Sequence, residues 1–177
     1  MATAEAVLDQ AQSAYMPNHE GEGTAANKRF VHLKERWKSI DNFDHSPRQI
    51  LVVPSLSLDQ AELMKVEGVH YYEELLLFSL IRLRNPETRL IYVTSQPLHP
   101  SIVDYYLELL PGIPSSHARD RLDLFSTYDS SLRPLTEKIL DRPRLIRRIK
   151  EKIKPDEAYM TCYNSTEMEK DLALQLD

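Results

Sequence analysis

The chain has 177 residues, enough for one full domain and short for two. A hydrophobic content of 42% and a charged content of 28% are those of an ordinary globular protein. Acids outnumber bases 27 to 22, giving a net charge of −5, so no global basic field exists to draw in nucleic acid or anionic lipid.

Residues 1–23 are small, polar and lightly acidic, close on Pro17-Asn-His-Glu-Gly-Glu-Gly23, and read as a flexible segment. No basic start precedes an apolar core there, so the segment is not a secretory signal. From Thr24 a helix is predicted, with Phe30, Leu33, Trp37 and Ile40 at spacings of three and four. An aromatic stripe of this kind is expected to pack on the domain; docking to a partner is the sharper alternative. Residues 41–47 complete this unit as a connector.

Ile50 to Val53 is a short apolar run, β-branched at three of four positions, and it stops at Pro54. A run apolar on both faces predicts a strand buried between two helical layers. Ser55 and Ser57 follow, at the carboxyl end where open α/β sheets hold ligands. A short helical turn is predicted over 59–65, ended near Gly68. A single long helix is predicted to reach Arg84, with Val69, Tyr72, Leu76, Ser79, Leu80 and Leu83 on its buried face. Leu75, Leu77, Phe78 and Ile81 widen that face, and Asn85-Pro86 stops the helix.

Residues 89–94 predict a second strand, ending in Ser95-Gln-Pro-Leu-His-Pro100. Ser101 is the expected N-cap of the next helix, with Asp104 in a capping-box position. Residues 115–121 read as a loop, 121–126 as a third strand, and a short helix follows from Pro134. Pro143 suits the first turn of another helix. Residues 158–163 predict a fourth strand, and a last helix from Thr166 carries Met168, Leu172 and Leu176. The whole is expected to be an α/β, Rossmann-like, three-layer domain over 48–177. Its sheet should be mainly parallel, of about four strands, preceded by the N-terminal helix. The last helix ends with no following strand, so the domain reads as truncated at its C-terminal end.

Candidate binding groups sit after strands one, two and four: Ser55 and Ser57; Thr94, Ser95, Gln96 and His99; Asn164, Ser165 and Thr166. In a parallel sheet they share one edge, where hydroxyls and helix-starting N–H groups suit an anion or carboxylate. Each alone is also an ordinary helix cap. Of six histidines, only His99 and His117 are placed near that edge, and no spacing makes a metal site. Catalytic residues are not assignable, since no serine has the G-x-S-x-G context. Only four glycines occur, so neither a Walker loop nor G-x-G-x-x-G can be written. Cys162, the one cysteine, reads as a small buried hydrophobe and points to a reducing, cytoplasmic setting. Glu73 and Glu74 favour a helix dipole. Eight basic residues between Lys138 and Lys154 read as a solvated helix face. The longest nearly unbroken apolar run, the seven residues Leu75 to Ile81 with Ser79 inside, is far from the about 20 a membrane span needs.

Five stretches together resemble one known module. They are Ile50-Leu-Val-Val-Pro-Ser-Leu-Ser-Leu-Asp59, Gly68-Val-His-Tyr-Tyr-Glu-Glu74, Tyr92-Val-Thr-Ser-Gln-Pro-Leu-His-Pro-Ser-Ile-Val-Asp-Tyr-Tyr106, Leu110-Pro-Gly-Ile-Pro114 and Met160-Thr-Cys-Tyr-Asn-Ser-Thr166. The module is the pre-ATP-grasp domain of ATP-grasp proteins related to the pheganomycin peptide ligase. The resemblance implies a substrate-side or scaffold domain of a carboxylate–amine ligase, inactive alone. It implies an ATP-grasp domain as partner, in cis or in trans, which would carry ATP and magnesium; this chain is expected to hold no cofactor itself. A small carboxylate or amino-acid ligand and self-association are further expectations, and a stand-alone binding module or protein-interaction domain is the alternative.

Overall fold

The computed structural model describes residues 48–69, 71–154 and 156–177. The N-terminal segment, the predicted helix with Phe30, Leu33, Trp37 and Ile40, and the connector after it lie outside the described residues. In chain order the elements are β1 (Arg48–Val53), α1 (Gln60–Leu63), α2 (Tyr72–Leu75), a 3₁₀ helix (Leu76–Arg84) and β2 (Thr88–Thr94). Then follow α3 (Pro100–Glu108), α4 (Ser115–Arg119), β3 (Leu122–Ser126), α5 (Leu135–Leu140), α6 (Pro143–Lys150), β4 (Ala158–Cys162) and α7 (Glu167–Leu176).

The four strands form one sheet in the order β3-β2-β1-β4, parallel at every pairing. Leu51 of β1 stands between Ile91 of β2 and Met160 of β4, which fixes the register across the centre. Because side chains alternate along a strand, the apolar run of β1 supplies two cores. Ile50 and Val52, with Leu90 and Tyr92, face Leu77, Leu80, Leu83, Val103 and Leu107. Leu51 and Val53, with Ile91 and Val93, face Leu135, Ile139, Ile146, Ile149, Leu172 and Leu176. A sheet with helices on both faces is the expected three-layer α/β fold. The β3 and β4 edges are less covered, and Leu124 is exposed. Cys162 is only half-buried on β4, not enclosed as expected, because β4 is an edge strand; burial and then the Glu169 charge push its thiol up.

The expected single long α-helix before β2 is instead one α turn and nine 3₁₀ residues. With three residues per turn, positions i, i+3 and i+6 eclipse. Leu77, Leu80 and Leu83 therefore point into the core together, while Leu75, Phe78 and Ile81 share the outer face and stay exposed. Arg121 caps the run: its guanidinium donates to the carbonyls of Leu83, Asn85 and Thr88 at 2.7–2.8 Å. Residues 115–121, expected as a loop, contain α4, whose only buried side chain is Ala118. His99, not Ser101, caps α3, because Pro100 occupies the first helical position and moves the start two residues back. Gly68 and Gly112 take φ of +70° and +77° just after helical segments, where a Cβ would be strained. Among the described residues no helix is long and apolar enough to cross a membrane.

Candidate functional site

The turns after all four strands meet at the carboxyl edge of the sheet, and there they form two clusters. The first joins the β1 and β4 turns. Ser55 and Ser57 are buried with their hydroxyls 2.8 Å apart, and the Thr136 N–H of α5 donates to Ser55 Oγ at 3.1 Å. Ser57 Oγ donates to the Glu169 carboxylate. Thr166 caps α7, and its N–H and hydroxyl reach the other Glu169 oxygen at 2.8 and 2.6 Å, a reciprocal capping box. Burial works to raise the Glu169 pKa, but hydrogen bonds led by Ser57 outweigh it and hold the carboxyl below its ordinary range. Asn164 straps the two turns together, accepting from Ser57 N–H at 2.9 Å and donating to Ser57 O at 3.0 Å. Tyr163 adds a second strap, its hydroxyl donating to Tyr72 O at 2.9 Å.

This matters for where a ligand fits. In a sheet ordered 3-2-1-4 the chain reverses direction between β1 and β4, and the crevice usually opens at that switch point. Here the Asn164 strap and the Ser57–Glu169 bond close it.

The second cluster stands over β2. Ser95 N–H and Oγ each donate to one oxygen of the Glu73 carboxylate at 2.5 Å. Lys138, 3% exposed, donates to Ser95 Oγ at 2.8 Å and to Asp129 O at 3.1 Å. Burial pushes the Glu73 carboxyl up, opposed by the Ser95 hydrogen bonds and the Lys138 charge. Burial likewise pushes the Lys138 ammonium down, opposed by Glu73 and Asp129. Beneath them, Tyr92 donates its hydroxyl to Glu73 O at 2.6 Å. Burial, and then the Glu73 charge, push the Tyr72 phenol up to about 12. The β3 turn closes the side: Thr127 N–H and Asp129 N–H donate to the carbonyls of Thr94 and Ser95, helped by Tyr128 turning at φ 54°. Arg133 then bridges Asp129, Glu137 and Asp141 at 3.1, 3.1 and 2.6 Å. Hydrogen bonds from Ser131, and then Arg133, keep Asp129 well below the usual carboxylate range.

A cavity of about 120 Å³ opens above this floor, lined among others by Tyr72, Glu73, Glu74, Ser95, Gln96 and Lys138. Of the residues singled out from sequence, Ser95 and Gln96 line it, and Thr94 forms its base. Ser55, Ser57, Asn164 and Thr166 make the neighbouring closed cluster. Ser165 is exposed beside it. His99 is an exposed cap, its Nδ1 2.6 Å from Ser101 Oγ. His117 is not near this edge: α4 leads into β3, so it lies at the amino edge, in a shallow hollow with Pro86, Asp120 and Arg121.

Sequence reasoning missed Glu73, Lys138 and Glu169. Lys138 is not on a solvated face, because α5 directs it into the floor; Arg144, Arg147, Arg148 and Lys150 of the same basic run are exposed as expected. The sequence signal for Glu169 was present, since Thr166 three residues before a Glu spells a capping box.

The turns at residues 54–59, 95–99, 127–134 and 163–166 contain no glycine, so no Cβ-free phosphate cradle is formed at this edge. Among the described residues no group of three or more His, Cys, Asp or Glu side chains is placed to hold a metal ion. What the second cluster offers is a rigid, charged, hydrogen-bonding floor under a small cleft.

No family model matches the sequence. No solved structure matches it either. The IQ motif-containing protein H of Danio rerio is 28% identical over 152 residues, covering 76% of this chain. The chain spans only 14% of that protein's length.

Proposed function

We propose that this chain is the substrate-side domain of an ATP-grasp-type carboxylate–amine ligase. It holds one small substrate in the cleft over β2 and depends on an ATP-grasp domain, in cis or in trans, for ATP, magnesium and turnover. The observation that carries this reading is the cleft itself: a cavity at the carboxyl edge with a floor of buried Glu73, Ser95 and Lys138. The resemblance to pre-ATP-grasp domains supports it, because the stretches that bear the likeness fall largely on β1, α2, β2, β4 and the turns after those strands. The chain mixed with amino acids and ATP should release no ADP. Adding an ATP-grasp domain of the pheganomycin-ligase type should start ADP release, and Gln96→Arg, which fills the cleft mouth, should suppress it. ADP release by the chain alone, or none under any pairing, would sink the proposal.

A protein-interaction domain is the second reading, favoured by the outer stripe of the 3₁₀ helix. Tyr71, Leu75, Phe78 and Ile81 are all more than half exposed along one line. If that stripe docks a partner, Phe78→Asp should abolish co-purification while leaving ligand binding in the cleft intact; retained co-purification would argue against it. We take the cytoplasm as the compartment, on the single thiol Cys162, and a tagged chain secreted or retained in an organelle would contradict that.

A further inference from the structure

The cleft over β2 has a sign as well as a shape. Its volume of about 120 Å³ is below the roughly 300–1,000 Å³ of pockets for drug-sized ligands, so it suits a small headgroup. Both cations that line it are already engaged. Arg133 pairs with Asp129, Glu137 and Asp141. Lys138 donates to Ser95 Oγ and Asp129 O, with Glu73 on the far side of that serine. Both Glu73 oxygens accept from Ser95. Glu74 differs. It lines the cavity half-buried, and among the described residues no hydrogen bond or ion pair reaches its side chain.

The ionisable groups of the lining and their bonded partners comprise five carboxylates (Glu73, Glu74, Asp129, Glu137, Asp141) and three cations (Arg133, Lys138, Arg142). Among the described residues an entering anion meets no uncommitted cation at the lining, and the bonded partners just behind it tip the local charge negative. An entering cation meets an uncommitted carboxylate in a cleft whose low-dielectric walls strengthen the attraction. Leu63, Val69, Pro97, Leu98 and Leu132 supply an apolar lining that suits a short alkyl chain behind the charge. We infer that the cleft takes the amine end of its ligand, a primary ammonium on a short alkyl chain, with Glu74 as counter-ion. This rests on the cleft being the substrate site and names which of the two reacting partners it holds. It reverses the expectation from sequence that the hydroxyl-rich rim would hold a carboxylate.

The test is an amide-shift titration of the full chain by NMR with two cationic probes, propylamine and glycinamide, and two anionic ones, propionate and N-acetylglycine. The cations should shift the amides of Glu74, Ser95, Gln96 and Ser131, and Glu74→Gln should weaken them by about tenfold or more, the loss of one charged contact. Glu74→Gln breaks no observed contact, and its own spectrum reports whether the fold is kept. If the anions shift these amides and the cations do not, the amine assignment is overturned while the cleft remains a ligand site. Cation binding unaffected by Glu74→Gln, or confined to other residues, also overturns it. If neither class shifts these amides, the inference and the reading of the cleft fall together.

Discussion

Lys138→Met is the perturbation that weighs the floor of the cleft. The lysine is 3% exposed and Glu73 8%, so both are charged groups taken out of water. Methionine matches the aliphatic stem of the side chain and removes the ammonium with its charge and both hydrogen bonds, 2.8 Å to Ser95 Oγ and 3.1 Å to Asp129 O. What remains is a buried carboxylate without its cation. The two charges meet through Ser95 and not in direct contact. The cost should therefore fall somewhat below the about 3–5 kcal/mol of breaking a direct buried pair, still a large share of the roughly 5–15 kcal/mol that holds a domain together. The pH dependence follows from the direction of the Glu73 shift. Its folded pKa is already raised above the ordinary 4.5 by burial, and losing Lys138 raises it further. Between 4.5 and that raised value the folded state binds the extra proton, so stability falls as pH rises through the window. The variant should therefore lose more against the native chain at pH 8 than at pH 5. Adding Glu73→Gln removes the stranded charge and should restore much of the loss. Urea unfolding of the native chain, both single variants and the double variant at the two pH values measures all of this. A loss under about 1 kcal/mol for Lys138→Met, equal at both pH values, would refute the claim that these buried charges are coupled through Ser95.

Glu169→Gln should cost about 1.5–3 kcal/mol at neutral pH. Because the folded Glu169 pKa lies below 4.5, the contribution is complete above that value and is lost as pH falls through the folded pKa, so the variant and native acid-unfolding curves should converge there. Curves parallel throughout would contradict the shift. Asn164→Ala removes both bonds of the strap and should cost about 1–3 kcal/mol, with faster hydrogen exchange at the Ser57 amide; unchanged exchange would mean the strap does not close the switch point. Leu80→Ala should cost about 2–5 kcal/mol and Phe78→Ala at most about 0.5, read from urea midpoints. Comparable losses would mean that the 3₁₀ register is wrong.

The sheet was legible because its signal is local. Ile50 to Val53 is apolar on both faces, and so is Leu90 to Val93, and only a central strand buried between two layers requires that. The helices around it were legible where several buried residues repeat, as in α6 with Leu145, Ile146 and Ile149. Short elements were not. α4 buries Ala118 alone, and one residue has no period. In the 3₁₀ helix the run Leu75 to Leu83 is so rich in apolar residues that periods of 3.0 and 3.6 both fit the sequence. The packing of Leu77, Leu80 and Leu83 under the sheet decides between them. In the cleft, the hydroxyls that end the strands were visible and their partners were not. Glu73 and Lys138 lie 65 positions apart in sequence and meet only across Ser95. Nothing in the local pattern of either residue separates a buried ion from a solvated one.

The two clusters are joined through α5. Thr136 donates to Ser55 of the closed cluster, and Lys138, two residues later, donates to Ser95 of the open one. A helix of six residues packed through Leu135 and Ile139 is too short to bend between those points, so the β1 turn and the β2 turn are held in one rigid frame. That frame uses up most of the polar groups that a reading of the sequence assigns to a ligand. Ser55, Ser57, Ser95, Asn164 and Thr166 each already hold a protein partner, and displacing any of them would leave a buried donor or acceptor unpaired. On the proposed reading, recognition falls to the groups that the frame presents and does not consume, foremost Glu74 at the wall of the cleft. The hydroxyls act one step back, by keeping that wall in place before any ligand arrives.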